Sequence, residues 1–262
     1  MLSLDDVIHH YMAIEHYGCL WPLNINIMDS KKYPRTYHLP WSPGASSDDK
    51  IASTIEGVIG CPIIITEKLD GENTCLNQLG VFARSHAAPT QNPWSSYLWE
   101  YWNQLHYQLD DLEVFGESLF ATHSIGYTGL QQYFYVFGIR QGELWLAWDQ
   151  VILWTELMNL PLAPVLFEGT VNSEEALETL IDELMLESSE LESLEVDQEV
   201  PKEGVVVRPA TAFMTDDFGE QVFKWVRANH VQTDAHWTRN WKRNPLEHEW
   251  IQQAQKKQKN DG

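Results

Sequence analysis

The sequence predicts an α+β domain whose sheets are largely antiparallel. Three observations carry that expectation. Strand-like and helix-like segments are mixed without regular alternation, so parallel crossover units are not indicated. A β-branched run over residues 58–69 is followed at once by a hairpin-like stretch, as antiparallel pairing requires. A chain of 262 residues, 44% of them apolar, is also long enough to bury a real core.

The elements follow in order. Ser3 and Asp6 have the spacing of a capping box and predict a helix of about thirteen residues. Residues 31–49 are dense in Pro, Gly, Ser and Asp and read as a rigid loop carrying one arginine in Tyr33-Pro34-Arg35-Thr36, to which no catalytic role is assigned. After the strand over 58–69, residues 74–84 read as two short strands around a turn at 77–80. Trp94, Tyr97, Leu98, Tyr101, Trp102, Leu105 and Leu109 recur at helical spacing and predict a buried aromatic helix. Strands are expected at 113–121, 133–140, 143–147, 204–208 and 220–226. Helices are expected at 149–159, after Ser173, and near the C-terminus. No repeat or low-complexity linker splits the chain. The domain expectation is a body over 1–227 and a short basic extension over 228–262.

Composition narrows the function. The formal net charge of −21 argues against a polyanionic partner unless basic groups are concentrated locally. Between Ser173 and Pro201 there are eleven acids and no Lys or Arg, about half of the net charge. Leu177, Leu180, Ile181, Leu184 and Met185 give the start of that stretch one apolar stripe, so it reads as a surface helix, capped by Ser173, running into an acidic loop. From Lys224 onward the balance reverses. No apolar run has membrane length, the start lacks the pattern of a secretory signal, and the three cysteines form no Cys-x-x-Cys pair. These features predict a soluble cytoplasmic protein with reduced thiols and no zinc site.

The chemistry centres on Ile65-Thr66-Glu67-Lys68-Leu69-Asp70-Gly71, which places a lysine at the end of an apolar strand just before Asp-Gly. Burial and nearby positive charge lower a lysine pKa, and the neutral amine is the nucleophilic form. Alone, the motif also suits a hairpin corner, because Asp-Gly is a favoured turn pair. Its company is ordered: Phe82-Ala83-Arg84-Ser85, Phe115-Gly116-Glu117-Ser118, Phe134-Tyr135-Val136-Phe137-Gly138-Ile139, Lys202-Glu203-Gly204-Val205-Val206-Val207-Arg208 and Phe223-Lys224-Trp225-Val226-Arg227.

This set resembles the nucleotidyl-transfer motifs of the covalent nucleotidyltransferase superfamily, which contains ATP-dependent polynucleotide ligases and mRNA capping enzymes. Within it the chain is most similar to RNA ligases of phages and bacteria, through Gly116-Glu117 with His123-Ser124-Ile125 and through Glu203-Gly204-Val205-Val206. The resemblance implies a nucleotidyltransferase (adenylyltransferase) fold that uses ATP and Mg2+ or Mn2+. Lys68 would take AMP from ATP, pass it to an RNA 5′-phosphate, and a 3′-hydroxyl would then displace it, in RNA repair. Arg84, Arg208 and Lys224 would be the cations around the phosphates. Glu117 would hold the ribose, Phe137 would stack on adenine, Glu203 would hold the metal, and Asp70 would position Lys68 or contact the metal. Lys68, Glu203 and Lys224 form the expected catalytic set. The last motif departs from Lys-x-Lys: Val226 takes the second position, and Arg227 is the alternative phosphate contact.

Only about 35 residues follow Arg227, too few for the OB domain that DNA ligases and capping enzymes carry downstream. End binding would then fall to the tail, where Trp237, Arg239, Trp241, Lys242 and Arg243 interleave aromatic and basic groups, or to a partner protein that heals or binds ends. The competing functions are a capping-type or DNA-joining nucleotidyltransferase, and a non-catalytic module that binds RNA ends.

Overall fold

The computed structural model describes residues 30–228 and 241–260. The helix expected from Ser3 lies outside them, as do Cys19, Trp237 and Arg239. Eleven strands and five helices run in the order β1 (Tyr37–His38), β2 (Pro62–Lys68), β3 (Glu72–Asn77), β4 (Gly80–Ala83), α1 (Ser96–Leu109), β5 (Leu112–Ser118), β6 (Phe134–Gln141), β7 (Leu144–Trp145), α2 (Trp148–Met158), β8 (Val165–Thr170), α3 (Glu174–Leu184), β9 (Gly204–Pro209), β10 (Phe213–Met214), α4 (Phe218–Gln221), β11 (Phe223–Val226) and α5 (Glu247–Asn260).

Two sheets result, ordered β1-β11-β9-β2-β8 and β10-β7-β6-β5-β3-β4. Every ladder is antiparallel except β1 with β11. The α+β expectation therefore holds. The apolar stripe of α1 (Leu98, Leu105, Leu109) and residues of α2 pack with Leu76, Val114, Val136 and Ile139 of the second sheet. On the first sheet, Leu177 and Ile181 of α3 pack with Ile63, Ile65, Val205 and Val207. Ser173 caps α3 as expected, its hydroxyl accepting from the Ala176 N–H.

Several segments differ from the sequence expectation: β10 and α4 were not expected, and the strand expected from 220 starts only at Phe223, because Phe218–Gln221 is helical. Val58 is the last residue of a 3-10 turn (Glu56–Val58), and Gly60, at φ 74°, separates it from β2, which starts at Pro62. Strand β8 was not anticipated, because Pro161 and Pro164 punctuate its approach; it pairs with β2 all the same. The loop over 31–49 contains β1 and is stitched along β11. Leu39 N–H donates to the Lys224 carbonyl, Gly44 N–H to the Val226 carbonyl, and Val226 N–H to Ser42 Oγ. That loop extends the first sheet by one edge and fixes the strand that carries Lys224.

Candidate active site

Between the sheets lies a cavity of about 400 Å3, lined by residues of both and by the 33–36 segment. It holds Lys68, Asp70, Arg84, Glu117, Phe137, Glu203, Arg208 and Lys224, so all eight residues expected from the sequence meet in one place. The register explains the central pair. Lys68 ends β2 opposite Gly204, so the residue before β9 sits beside it, and Lys68 Nζ lies 2.5 Å from Glu203 Oε1. Two glycines permit this packing: a Cβ on Gly204 would lie 1.9 Å from the Trp225 carbonyl oxygen, and one on Gly71 would lie 2.4 Å from that of Ser118.

The charge state of Lys68 corrects the sequence expectation of a lowered pKa. Burial does pull it down, but the carboxylates of Glu203, Glu117 and Asp70 outweigh burial and hold it above its ordinary value. Lys68 is thus stored as an ammonium. Glu117 shows the complementary effect: burial, with repulsion from Glu203 and Asp70, raises its carboxyl to about 8 against the pull of Lys68. Glu117 Oε1 accepts from the Gly71 N–H at 3.1 Å, tying β5 to the turn after the lysine.

Asp70 organises the same turn. Its Oδ2 accepts from Ser124 N–H (2.8 Å), Ser124 Oγ (2.7 Å) and Ile125 N–H (2.8 Å), while its own N–H donates to Tyr127 Oη (2.8 Å). One oxygen of Asp70 is therefore engaged in holding the 123–125 loop at the cavity rim. Arg208 is engaged as well, at the aromatic end: its guanidinium donates to the Leu146 carbonyl at 2.7 Å and lies over the rings of Trp148 and Phe213. Lys224 sits near Lys68, and burial and that neighbour lower its pKa; its Nζ is 3.8 Å from Asp49 Oδ1.

The carboxylates around Lys68 suit a hard divalent cation. Glu117, Glu203 and Asp70 line the cavity there, and carboxylate oxygens are the ligands such an ion takes. Among the described residues, the His/Cys/Asp/Glu group close enough to hold an ion by itself is Cys75, His86 and Glu113, none of which lines the cavity. An ion beside Lys68 would thus have few protein ligands and keep waters or phosphate oxygens, as magnesium does.

The family model for RNA ligase matches residues 62–226, more than half of the chain and the same span that supplies the cavity. The chain belongs to the RNA ligase family. Among solved structures, an archaeal ATP-dependent RNA ligase matches with a TM-score of 0.51 at 15% identity, over 75% of this chain and 48% of that one. A Naegleria gruberi RNA ligase variant matches at 0.48 and 18%, over 75% and 55%. A putative ATP-dependent DNA ligase from Aquifex aeolicus matches at 0.48 and 16%, over 75% and 50%. The chain spans about half the length of these structures, and the likeness to the archaeal enzyme speaks to fold alone. No curated protein matches the sequence. Among the described residues, no helix is long and apolar enough to cross a membrane.

Three residues that sequence reasoning missed also shape the site of this RNA ligase family member. Tyr33 lines the cavity. Asp49 faces Lys224, Arg35 and His38 at 3.8, 3.7 and 3.5 Å. Both lie in the 31–49 loop, whose Tyr-Pro-Arg-Thr signal was visible but carried no assigned role. Glu67 is the third. Its side chain accepts from Ser189 Oγ at 2.6 Å and from the Glu190 N–H at 3.0 Å, so the acidic stretch is anchored behind the lysine strand and is not a free solvated loop. Arg227 N–H donates to the Glu203 carbonyl at 3.0 Å, which leaves its backbone, at least, occupied with β9.

The tail packs on the body. Asn244 is buried and donates to the Leu119 carbonyl, and Trp250 Nε1 donates to the Tyr127 carbonyl. Trp241 meets the rings of Trp94 and Phe120. Arg243 is paired with Glu249 at 2.6 and 2.8 Å, while Lys242 is exposed.

Glu67 gives a pH test. Burial raises its carboxyl to about 7 despite its hydrogen bonds, so folding favours the protonated form. Its contribution to stability is complete below the unfolded value near 4.5 and is lost as pH rises to about 7. Glu67→Gln keeps an acceptor for Ser189 and cannot ionise. The stability of the variant minus that of the wild type should therefore rise by about 3 kcal/mol from pH 4.5 to pH 7 and then level off, as measured by urea unfolding. A flat difference curve would show that Glu67 does not titrate in that window.

Proposed function

We propose that this chain is the nucleotidyltransferase domain of an ATP-dependent RNA ligase that joins 5′-phosphate and 3′-hydroxyl ends through a lysyl-AMP intermediate, in RNA repair. The domain takes in residues 1–227, with the stretch from 228 as its end-binding extension. The observation that carries this reading is the Lys68–Glu203 pair at 2.5 Å in a cavity that also gathers Lys224, Arg84, Glu117 and Phe137. The RNA ligase family match supports the substrate class.

Lys68 Nζ attacks the α-phosphorus of ATP; the new P–N bond replaces the bond to pyrophosphate, which leaves. The ammonium must first shed a proton, and Glu203 is the acceptor within reach. Lys224 and Arg84 neutralise the phosphates, because phosphoryl-type transfer depends chiefly on positioning and charge. Phe137 supplies a π face for adenine, and Glu117 holds the ribose. Magnesium or manganese, held through Glu203 with Asp70 behind it, would polarise the phosphate and stabilise the leaving group. An RNA 5′-phosphate oxygen then attacks the lysyl-AMP phosphorus and frees Lys68. The 3′-hydroxyl attacks the activated 5′-phosphate, loses its proton and expels AMP.

Incubation with α-labelled ATP and magnesium, followed by denaturing electrophoresis, tests the reading: label should stay on the protein, and RNA ends should chase it off. Label from GTP in preference to ATP would identify a capping-type enzyme instead. Roles within the site separate kinetically. Glu203→Ala should lower the maximal labelling rate at saturating ATP by about 100-fold or more, whereas Phe137→Ala should chiefly raise the ATP requirement, by about tenfold. Indistinguishable profiles would reject that division of labour.

A further inference from the structure

The aromatic end of the cavity is a corner made by two rings. Phe82, Phe115, Trp145, Phe213 and Phe218 form a buried cluster, and Phe137 and Tyr33 pack against it while staying partly open to the cavity that both line. Their centroids are 5.2 Å apart and their planes meet at 75°. Tyr33 is pinned from behind by Phe115, Trp145 and Phe218, at 5.4, 5.4 and 5.1 Å. Its hydroxyl is close to the Thr36 side chain and lies in the field of Arg208, Glu117 and Arg84.

We propose that Tyr33 is the second wall of the base pocket and determines which base the site accepts. The proposal rests on the reading that the base stacks on Phe137. A face alone selects poorly, because every base has a π surface. A base lying flat on Phe137, however, turns its edge toward a ring nearly perpendicular to it, and the edge is where adenine and guanine differ in their exocyclic groups. The wall is firm because three buried rings stand behind it. Tyr33 and Phe137 both line the cavity of about 400 Å3. Burial holds the hydroxyl well above its ordinary range, to about 12, so it is a neutral donor and acceptor at the edge.

The test compares Tyr33→Leu, Tyr33→Phe and Phe137→Leu with the wild type in self-labelling by ATP and by GTP, with inorganic triphosphate as a baseless inhibitor. Tyr33→Leu should raise the KM for ATP about tenfold, leave the maximal rate within about threefold, and narrow the ATP-to-GTP preference by about tenfold. Inhibition by triphosphate should not change, and Tyr33→Phe, which keeps the ring and loses only the hydroxyl, should raise the KM for ATP less than Tyr33→Leu does. An unchanged KM overturns the proposal. So does a lowered KM, which would mean that the ring occupies the base's own space, and so does a parallel loss of triphosphate inhibition, which would mean general distortion. Should Tyr33→Leu fail to fold in a thermal melt, Tyr33→Trp keeps the aromatic packing and crowds the corner; it must raise the KM for ATP, and an unaltered value overturns the proposal. If the wild type takes no label from either nucleotide, the reading of the whole site fails, and that outcome is distinct from a labelled wild type with an indifferent Tyr33.

Discussion

Lys68→Ala should give a folded protein that takes no label from α-labelled ATP, a loss of at least ~10^3-fold, because in the proposed reaction no other side chain replaces the lysine amine. The fold survives because Lys68 is the last residue of β2 and its ladder bonds come from the backbone. Removal of the ammonium also leaves Glu203, Glu117 and Asp70 as a buried group of carboxylates without their central cation, so the variant should bind protons more readily than the wild type. Lys68→Arg keeps the charge and fails equally in labelling, since a guanidinium stays protonated. Circular dichroism verifies folding, and covalent label on either variant would place the nucleophile elsewhere.

Glu113→Ala should destabilise the protein by about 3–5 kcal/mol, because it strands a buried guanidinium. Arg140 is 1% exposed, and its Nε and Nη2 donate to Glu113 Oε2 at 2.8 and 2.5 Å. The other carboxylate oxygen accepts from Ser30 Oγ and the Lys31 N–H, so one acid ties β5, β6 and the segment leading to the 31–49 loop. Glu113→Gln retains an acceptor and should cost less. Urea unfolding gives the numbers, and a cost below ~1 kcal/mol for the alanine variant would mean that water or another acceptor reaches Arg140. Because Arg140 lies over the rings of Phe115 and Trp145, the loss would also loosen the support behind Tyr33.

The antiparallel body was legible in the sequence because β2, β5, β6 and β9 are long apolar or β-branched runs whose period needs no tertiary help. The gathering of Lys68, Glu117, Glu203 and Lys224 was legible through the order of their motifs. Strand β8 was not, since its six residues sit between proline-rich and polar neighbours and become a strand only by pairing with β2. Nor was β1, which is two residues long and exists because β11 offers an edge. The protonation of Lys68 was misjudged for a related reason: adjacency in sequence shows Asp70, while Glu203 and Glu117 arrive from strands far away along the chain. Tyr33 and Asp49 carry no role in the sequence reading because a loop declares its composition but not the surface it covers.

The contacts that complete the cavity are remote in sequence: Lys68 reaches Glu203 across 135 positions, Glu67 reaches Ser189 across 122, and Val226 reaches Ser42 across 184. Closing such loops precedes any reward from the contacts themselves, so topologies of this kind fold slowly and finish late. During synthesis, strand β2 emerges with its lysine long before β9 or β11 exists to flank it. Lys68 is therefore without its carboxylate partner until most of the chain has left the ribosome, and the assembled cavity is among the last features the folding chain acquires.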